Sequence, residues 1–536
     1  MSGLPPLHSN QDRGLNPLEG NLPPNQSDKK DAKKRKVDAI AQEAITDPQA
    51  KKLRIEETSD SSRSSSTQEV EKLDHSLGII NYQNDETEKL SFLLLNTTDP
   101  TGLPKSFYVP NNYWKEIGSL PDNIENLNER ILATYGQNIY DAATWQIALA
   151  MLGQAEIASQ QTERLYSGVS GELNIRASSK DFVYGDGAII FSDTPQNALF
   201  FRMISDKWEQ IDPLTGKKVT WMDWKPILGE NSWAAFIGPL QVAYAKYEEK
   251  KKIPIDCIEV KLALNMLPAL IAMQSPIGAL YHSVAGVHGK DPHEISTENN
   301  ASLYAGLCML REILIEKQSK QVDTAISQID QLLIGIDNFF HHYAYDKKNQ
   351  LFFQGGRYNS SSHSDELFIP SKDFAVDVQT WGITVLGAKK IDKWFGDGAS
   401  YAIWQRTKER SGYYDQEGRL LGVGYTDGRS EVLSVEWTCG AILLIKELQN
   451  FYGRKNVKDL EKDAITMRSG IESLKEKIII HGIETVAFHY ANKRYSIPFG
   501  WWANKIPSLT STAWVLMIDR NFNPFVLGGK RDDAKS

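Results

Sequence analysis

Five carboxylic acids stand near the starts of apolar stretches with helical spacing, where they could do acid–base chemistry. The acids are Asp141 in "YDAATWQIALAMLG", Glu230 in "GENSWAAFIGPLQVAY", Glu298 in "STENNASLYAGLCMLREIL", Asp377 in "AVDVQTWGITVLG" and Glu436 in "SVEWTCGAILLIKEL". A sixth stretch, "SLTSTAWVLMI", begins with hydroxyl groups instead. Any single one of these acids is also explained as a helix cap, because unpaired N–H groups and the helix dipole favour a negative charge there.

Tryptophan accompanies the acids. Trp145, Trp233, Trp381 and Trp437 each follow an acid within four residues, and Trp514 lies in the sixth stretch. Capping needs no indole, whereas carbohydrate sites use aromatic faces for sugar C–H groups and polar groups for the hydroxyls. The chain has 13 tryptophans, and 10% of its residues are aromatic. The combination favours a ligand site over a set of unrelated caps.

Acids so far apart in the sequence need elements that bring them together. The six apolar stretches start 59 to 89 residues apart and read as helices buried on several sides. Amphipathic helices are predicted between them, as in 322–343 and 459–479. Six buried helices that alternate with surface helices predict an all-α (α/α)6 barrel, a six-hairpin toroid. Its inner helix starts would all point into one funnel.

The ordered motifs resemble those of the six-hairpin glycosidase-like superfamily, whose glycoside hydrolase members are (α/α)6 barrels. They read "YDAAT", "GENSW", "STENN", "VDVQTW", "SVEWTCG" and "TSTAW", between Tyr140 and Trp514. Two positions depart from the family pattern. Trp437 stands where relatives often have glycine, and Asn299 stands where many have histidine.

The resemblance implies a glycoside hydrolase that cleaves an oligo- or polysaccharide with paired carboxylates and no metal or cofactor. The expected catalytic residues are Glu298, Asp377 and Glu436. Asp377 suits a general base or a contact to a sugar hydroxyl, and Glu298 and Glu436 compete for the role of general acid. The residues expected to bind substrate are Asp141, Trp145, Glu230, Asn231, Trp233, Asn300, Gln379, Trp381, Trp437 and Trp501.

Two other functions stay open on the same barrel. One is a sugar epimerase, isomerase or lyase that uses histidines for acid–base steps. His282, His288 and His293 in "YHSVAGVHGKDPHE" are the candidates for those steps. The other is a carbohydrate- or protein-binding effector that keeps the scaffold without the chemistry.

The N-terminal residues differ in composition from the rest of the chain. Residues 1–76 are polar with basic clusters and predict a disordered tail, residues 77–529 predict the barrel domain, and residues 530–536 predict a short disordered tail. Within "KKDAKKRKV", the cluster Lys33, Lys34, Arg35 and Lys36 is typical of a nuclear-import signal and implies an import receptor as partner. In an organism without a nucleus, such a signal would suit only a protein delivered into a host cell.

Charge and hydropathy exclude several classes of protein. The net charge of −8 argues against nucleic acid or an anionic membrane as a partner of the whole chain. The N-terminus lacks an apolar signal-peptide core, and no run of about 18 apolar residues predicts a membrane span. Three widely spaced cysteines predict neither a disulfide framework nor a zinc site. We therefore expect a cytoplasmic or nuclear location.

Overall fold

The apolar stretches form helices in the computed structural model, which describes residues 82–98, 101–117, 124–177, 199–287, 291–317, 319–360, 366–498 and 500–530. The predicted N-terminal tail, the import signal at Lys33–Lys36, and His288 lie outside the described residues, as does almost all of the predicted C-terminal tail. Those predictions stay predictions. Within the described ranges, no helix combines the length and the apolar character that a membrane crossing needs.

The described residues form sixteen α-helices, numbered in chain order. They are α1 (Tyr82–Leu95), α2 (Tyr113–Glu116), α3 (Ile124–Tyr135), α4 (Ile139–Met151), α5 (Ala155–Ser167), α6 (Leu228–Ser232), α7 (Gly238–Tyr247), α8 (Ile258–Ala272), α9 (Thr297–Leu314), α10 (Lys320–His342), α11 (Val376–Leu386), α12 (Ala388–Phe395), α13 (Ala399–Ser411), α14 (Val435–Tyr452), α15 (Lys458–Glu472) and α16 (Leu509–Asp519). A π-helix, Trp233–Ile237, joins α6 to α7, and 3-10 turns lie at Lys250–Lys252 and Leu527–Gly529.

Six inner helices form a closed ring. The ring runs from α4 to the α6–α7 unit, then to α9, α11, α14 and α16, and α16 packs against α4 again. Helices α5, α8, α10, α13 and α15 pack on the outside of successive inner helices, and α1 covers α16 as the sixth outer helix. The predicted (α/α)6 barrel is therefore confirmed, with its last hairpin completed by the N-terminal helix of the described chain.

Short strands decorate the connections at the ends of the helices. They are β1 (Gln137–Asn138), β2 (Val169–Ser170), β3 (Leu173–Asn174), β4 (Met203–Ile204), β5 (Glu209–Ile211), β6 (Lys218–Thr220), β7 (Glu294–Ser296), β8 (Tyr345–Asp346), β9 (Leu351–Phe352), β10 (Gly355–Tyr358), β11 (Phe368–Pro370), β12 (Gly412–Tyr414), β13 (Leu420–Val423), β14 (Lys475–Ile480), β15 (Ile483–His489), β16 (Tyr495–Ile497), β17 (Trp501–Ala503) and β18 (Pro507–Ser508). All pairings between these strands are antiparallel, in sheets of two or three strands.

One predicted surface helix is shorter than its sequence pattern indicates. The prediction carried it through 459–479, but α15 ends at Glu472 and residues Lys475–Ile480 form β14, paired with β15. The prediction was wrong for that part because the run Ile478–Ile480 is β-branched, and such side chains favour a pleated strand over a helix.

Serine side chains, not the acids, cap three of the inner helices. Ser296 accepts a hydrogen bond from Asn299 N at the start of α9, and Ser434 accepts one from Trp437 N at the start of α14. Ser508 does the same for Ser511 N at the start of α16. Glu298 and Glu436 therefore have no capping role to fill, and their presence needs another explanation.

The C-terminal segment closes the barrel opposite the helix starts. Gln241 on α7 donates to the carbonyls of Pro524 (3.0 Å) and Val526 (2.7 Å), and its own carbonyl accepts from Gly528 N (2.9 Å). These bonds hold the ring of Phe525 against Trp233 at a centroid distance of 5.3 Å. The funnel is thus blind, with one open end where the inner helices begin.

Candidate active site

A cavity of about 640 Å³ opens where the inner helices start. All five first-turn acids line it, namely Asp141, Glu230, Glu298, Asp377 and Glu436. Its size lies within the range of pockets that hold small molecules and sugars, roughly 300–1,000 Å³. The barrel therefore brings together carboxyl groups that are up to 295 positions apart in the chain, from Asp141 to Glu436.

The floor of the cavity is aromatic. Tyr140 packs edge-on against Trp233 at 4.9 Å, and Trp233 lies 5.5 Å from Trp381. Trp381 in turn stacks on Trp514 at 5.7 Å with nearly parallel rings. These rings keep water away from the carboxyl groups above them, which raises the cost of ionising those groups.

Glu298 is held by two donors. Ser302 donates to Oε1 (2.6 Å), and Asn299 donates through Nδ2 to Oε2 (2.6 Å). Ser302 itself accepts from the indole N–H of Trp233 (3.0 Å), so the floor supports this carboxyl group. Burial raises the pKa of Glu298 to about 7, Glu230 adds to the rise, and the two hydrogen bonds oppose it.

Asp377 has weaker support for a negative charge. Its Oδ1 accepts from the backbone N–H of Val378 (2.7 Å), so the capping interpretation holds in part for this residue. Burial raises the pKa of Asp377 well above its ordinary value, and the charge of Glu298 raises it further. Two such interacting carboxyl groups titrate as a pair, and the first proton to leave comes from the better-solvated or better hydrogen-bonded oxygen atoms.

Glu436 is supported from the other side of the floor. The indole N–H of Trp514 donates to the hydroxyl of Tyr140 (2.7 Å), and that hydroxyl donates to Oε1 of Glu436 (2.5 Å). Burial raises the pKa of Glu436 well above its ordinary value, with contributions from Asp141 and Asp377. The phenol stays protonated, because burial and the neighbouring carboxyl group raise the pKa of Tyr140 as well.

Asp141 and Glu230 form a second pair of acids in the same cavity. Burial raises the pKa of Asp141 to about 7, a hydrogen bond from Ser106 lowers it, and the charge of Glu230 raises it. Asp141 is 6% exposed, so almost no bulk water reaches its carboxyl group.

His282 lines the cavity beside Glu298, and the amide of Asn299 links the two. Because Asn299 Nδ2 donates to Glu298, its Oδ1 faces His282 Nδ1 at 2.8 Å. An amide oxygen can only accept, so the hydrogen bond places a proton on Nδ1 of the imidazole. In the neutral ring, Nε2 then carries the lone pair.

Basic and aromatic side chains line the rim. Arg202 lies with its guanidinium 5.7 Å from the ring centroid of Trp501, and it pairs with the carboxylate of Asp223 at 3.0 Å. Trp437 also lines the cavity and packs edge-on against Tyr425 at 4.9 Å. The structure therefore places four of the predicted substrate-binding tryptophans at the cavity, and their contact with a substrate stays a prediction. They are Trp233, Trp381, Trp437 and Trp501.

Four predicted substrate contacts lie elsewhere. Trp145 points away from the ring, and its indole N–H donates to the Leu93 carbonyl of α1 (2.8 Å). The other three, Asn231, Asn300 and Gln379, have amide side chains that bind the backbone of a preceding loop. The polar atoms of these four residues are already used inside the protein, so their predicted role in binding substrate is wrong.

The three amide side chains act in the same way. Each is a clamp, meaning that it binds both the backbone N–H and the backbone carbonyl of one residue in an earlier segment. Gln379 accepts from Phe352 N (2.8 Å) and donates to Phe352 O (2.8 Å). Asn231 binds both backbone groups of Phe200, and Asn300 binds both of Leu280. A buried amide that satisfies a buried N–H and a buried carbonyl fixes a loop at the rim of the funnel.

Replacing Gln379 by alanine is expected to destabilise the fold by about 2–4 kcal/mol, because it leaves two buried backbone groups of Phe352 without partners. Thermal unfolding followed by fluorescence measures this effect. Gln331→Ala on the exposed face of α10 is the matched control and is expected to leave the melting temperature within a degree or two of wild type. An unchanged melting temperature together with weaker glycan binding would instead restore Gln379 as a substrate contact.

The sequence reasoning missed several residues that shape the site. Ser302 and Tyr140 were detectable in principle, because Ser302 follows Glu298 by one helical turn and Tyr140 is next to Asp141. Arg202 carried no such signal, because it comes from an irregular lobe between the first two hairpins. Among the described residues, no group of three or more His, Cys, Asp or Glu side chains could hold a metal ion.

A closed ring of six helical hairpins around an acid-lined funnel defines an (α/α)6 barrel protein. The (α/α)6 barrel that the resemblance implied is thereby confirmed as the fold. No family model matches the sequence, and neither does any curated protein.

Solved structures of similar shape include three sugar-related proteins. D-mannose isomerase is 12% identical to this chain in sequence. Its crystal structure gives a TM-score of 0.46, and the match covers 83% of this chain and 98% of that one. Cellobiose 2-epimerase from Bacillus thermoamylovorans B4167 is 10% identical, with a TM-score of 0.45 over 82% and 99%. The GH76 alpha-mannanase from Bacteroides thetaiotaomicron is 13% identical, with a TM-score of 0.41 over 83% and 96%.

Proposed function

We propose that this protein is a glycoside hydrolase-like enzyme that cleaves a glycosidic bond of an oligo- or polysaccharide. The observation that supports it is the set of three carboxyl groups, the buried Glu436 and the half-buried Glu298 and Asp377, above an indole floor in one blind cavity. Glycoside hydrolysis needs one carboxyl group that holds a proton and one that has lost it. A cluster in which ionisation of one acid suppresses ionisation of the next supplies both states near neutral pH.

The hydrogen bonds suggest a division of roles within this cluster. Glu298 accepts from Ser302 and Asn299, so it is the group best able to carry the charge and to act as base. Asp377 accepts from one backbone N–H and holds its proton more tightly, which suits the general acid. This proposal reverses the roles that the sequence favoured for these two residues. Glu436, held by Tyr140, is the alternative acid.

A panel of glycans tests the proposed activity. Purified protein is incubated with β-glucan, xylan, mannan, chitosan and their oligosaccharides, and the release of reducing ends is measured. Release from at least one member supports the hydrolase, and its products then give the linkage. Binding without release would favour the non-catalytic binding protein, and neither binding nor release would contradict both.

His282 supports a second candidate, a sugar epimerase or isomerase. The hydrogen bond to Asn299 places the ring proton on Nδ1, so the neutral imidazole carries its lone pair on Nε2, and such a ring is suited to remove a proton from a sugar carbon. Of the other two histidines considered, His293 does not line the cavity, and it packs edge-on against Tyr281 at 5.8 Å.

Replacing His282 by asparagine separates the two candidates, because an asparagine amide N–H can replace Nδ1–H while Nε2 is lost. An epimerase or isomerase is expected to lose about 100-fold or more in the exchange of sugar C–H protons with D2O, followed by NMR. A hydrolase is expected to keep most of its reducing-end release. His293→Asn is the matched control and is expected to change neither. Equal loss of both activities in the His282 variant would assign His282 to positioning Glu298.

A further inference from the structure

An aromatic pair next to Arg202, the exposed Trp208 and the half-buried Trp224, has no role in the site described above. Trp208 is 48% exposed, although an indole of this size is usually buried. Its ring lies 5.4 Å from that of Trp224, and Trp224 packs edge-on against Phe201 at 5.1 Å. Exposed apolar groups that adjoin one another mark binding surfaces more often than isolated ones do.

The backbone holds Trp208 firmly in this exposed position. Its N–H donates to the carboxylate of Glu172 (3.1 Å), and its carbonyl accepts from Trp221 N (2.7 Å). It directly precedes β5, which pairs with β6 in a two-stranded sheet. Because its backbone is fixed by these bonds and its ring packs against Trp224, the exposed indole loses little conformational entropy when it binds a ligand, which favours affinity.

The same lobe is continuous with the rim of the cavity. Arg202 N donates to the carbonyl of Lys225 (2.8 Å), and the Arg202 guanidinium binds Asp223, so both neighbours of Trp224 in the chain are tied to Arg202. Arg202 lines the cavity and lies over Trp501. The lobe is fixed to the barrel through β4, which pairs with β1 directly before the inner helix α4.

We propose that Trp208 and Trp224 form a distal sugar-binding subsite, so that the substrate is a glycan chain of several sugars that extends from the cavity over Arg202. This inference rests on the proposed function for the nature of the occupant. Indole faces accept the C–H groups of pyranose rings, and the guanidinium of Arg202 can donate to sugar hydroxyls between the two subsites.

The size of the patch favours a glycan over a protein. Two indoles together offer about 300–500 Å² at most. A specific protein–protein interface takes roughly 800 Å² from each partner. A row of aromatic side chains that begins at a sugar-sized cavity has instead the width of a single glycan chain.

The experiment compares long and short glycans with one set of variants. Binding of β-glucan, xylan, mannan, chitosan and their di- to hexasaccharides is measured by calorimetry on Glu298→Gln protein, in which cleavage is expected to be suppressed. Trp208→Ala is added to that background, with Trp208→Tyr as the conservative variant and Phe451→Ala as the control for loss of an exposed aromatic ring. Phe451 is 40% exposed on α14 and does not line the cavity. Circular dichroism checks the fold of each variant, and Trp224→Ala is the substitute where Trp208→Ala does not fold.

We expect Trp208→Ala to weaken binding of hexasaccharides and polymers by about tenfold, which corresponds to ~1.4 kcal/mol, and to leave disaccharide binding unchanged. Trp208→Tyr should recover most of the loss, and Phe451→Ala should show none. Equal weakening for long and short glycans, or no weakening, overturns the subsite while the hydrolase proposal stands on its reducing-end assay. If binding to the Glu298→Gln protein depends on glycan length but the wild-type protein releases no reducing ends, the subsite is supported and the hydrolase is overturned. No binding of any glycan, or capture of a protein through Trp208, overturns the subsite.

Discussion

Glu298→Gln is expected to reduce reducing-end release by about 10²–10⁴-fold, the range that a general acid or base contributes. Glutamine keeps the shape of the side chain and can still accept one hydrogen bond from Ser302 or Asn299, but it can neither take up a proton nor carry a negative charge. The loss should therefore appear in kcat, with little change in the binding of substrate. Initial rates on the substrate that the glycan panel identifies measure it.

Glu461→Gln is the matched control for this substitution. Glu461 lies on the exposed face of α15, so its change alters the same chemical group without touching the cavity. Asp377→Asn is expected to lose activity in the same range if it holds the acid proton. Full activity in both the Glu298 and the Asp377 variants would remove these residues from the catalytic step.

Ser302→Ala tests the role of Glu298 as base in a second way, through the pH dependence of activity. Loss of the Ser302 hydroxyl removes a donor to Glu298, and the pKa of Glu298 then rises further because burial is opposed less. The rise of activity with pH should shift to higher pH, while the maximum rate falls only moderately. A change in maximum rate without a shift of the pH profile would mean that Glu298 does not act in its ionised form.

The barrel was predictable because its signal is periodic and repeated. Six apolar stretches at helical spacing, each with a polar start, leave few other ways to bury so much apolar surface. The convergence of Asp141, Glu298 and Glu436 followed from topology alone, since inner helices that run in one direction begin at one end. The same periodicity made the predicted α15 too long, because Lys475–Ile480 is amphipathic. Its β-branched run Ile478–Ile480 favours a strand, and the segment forms β14.

The roles of individual polar residues were less predictable, because a clamp and a ligand contact look alike in a sequence. Gln379 and Asp377 are two residues apart on α11, yet one binds the backbone of Phe352 and the other lines the cavity. Gln379 is a clamp because Phe352, 27 residues upstream, lies next to its amide, and no local pattern around Gln379 reveals that position. Arg202 and His282 belong to irregular segments, whose placement depends on contacts that no local pattern records.

Asp141→Asn is expected to make the protein more stable than wild type above neutral pH. Burial raises the pKa of Asp141 from its ordinary value of 3.8 to about 7. The folded protein therefore holds a proton that the unfolded chain releases, and folding is favoured fully below about pH 4. This stabilisation is lost progressively as the pH rises through about 7. At pH 8 the native state must carry a buried charge that asparagine does not have.

The expected gain at pH 8 is a few kcal/mol, from a shift of about three pKa units at about 1.4 kcal/mol each, and it should raise the melting temperature by several degrees. Below about pH 4 the carboxyl group is neutral in both the folded and the unfolded wild-type chain, so the two proteins should melt together there, and at pH 5 the variant should already show roughly a third of its full gain. Asp323→Asn, at an exposed position on α10, should follow wild type at every pH. Melting curves of Asp141→Asn that follow wild type from pH 5 to pH 8 would show that another acid in the cavity holds the proton. A stability gain that accompanies loss of activity would instead mean that the funnel keeps Asp141 at a cost to folding because the chemistry requires a carboxyl group there.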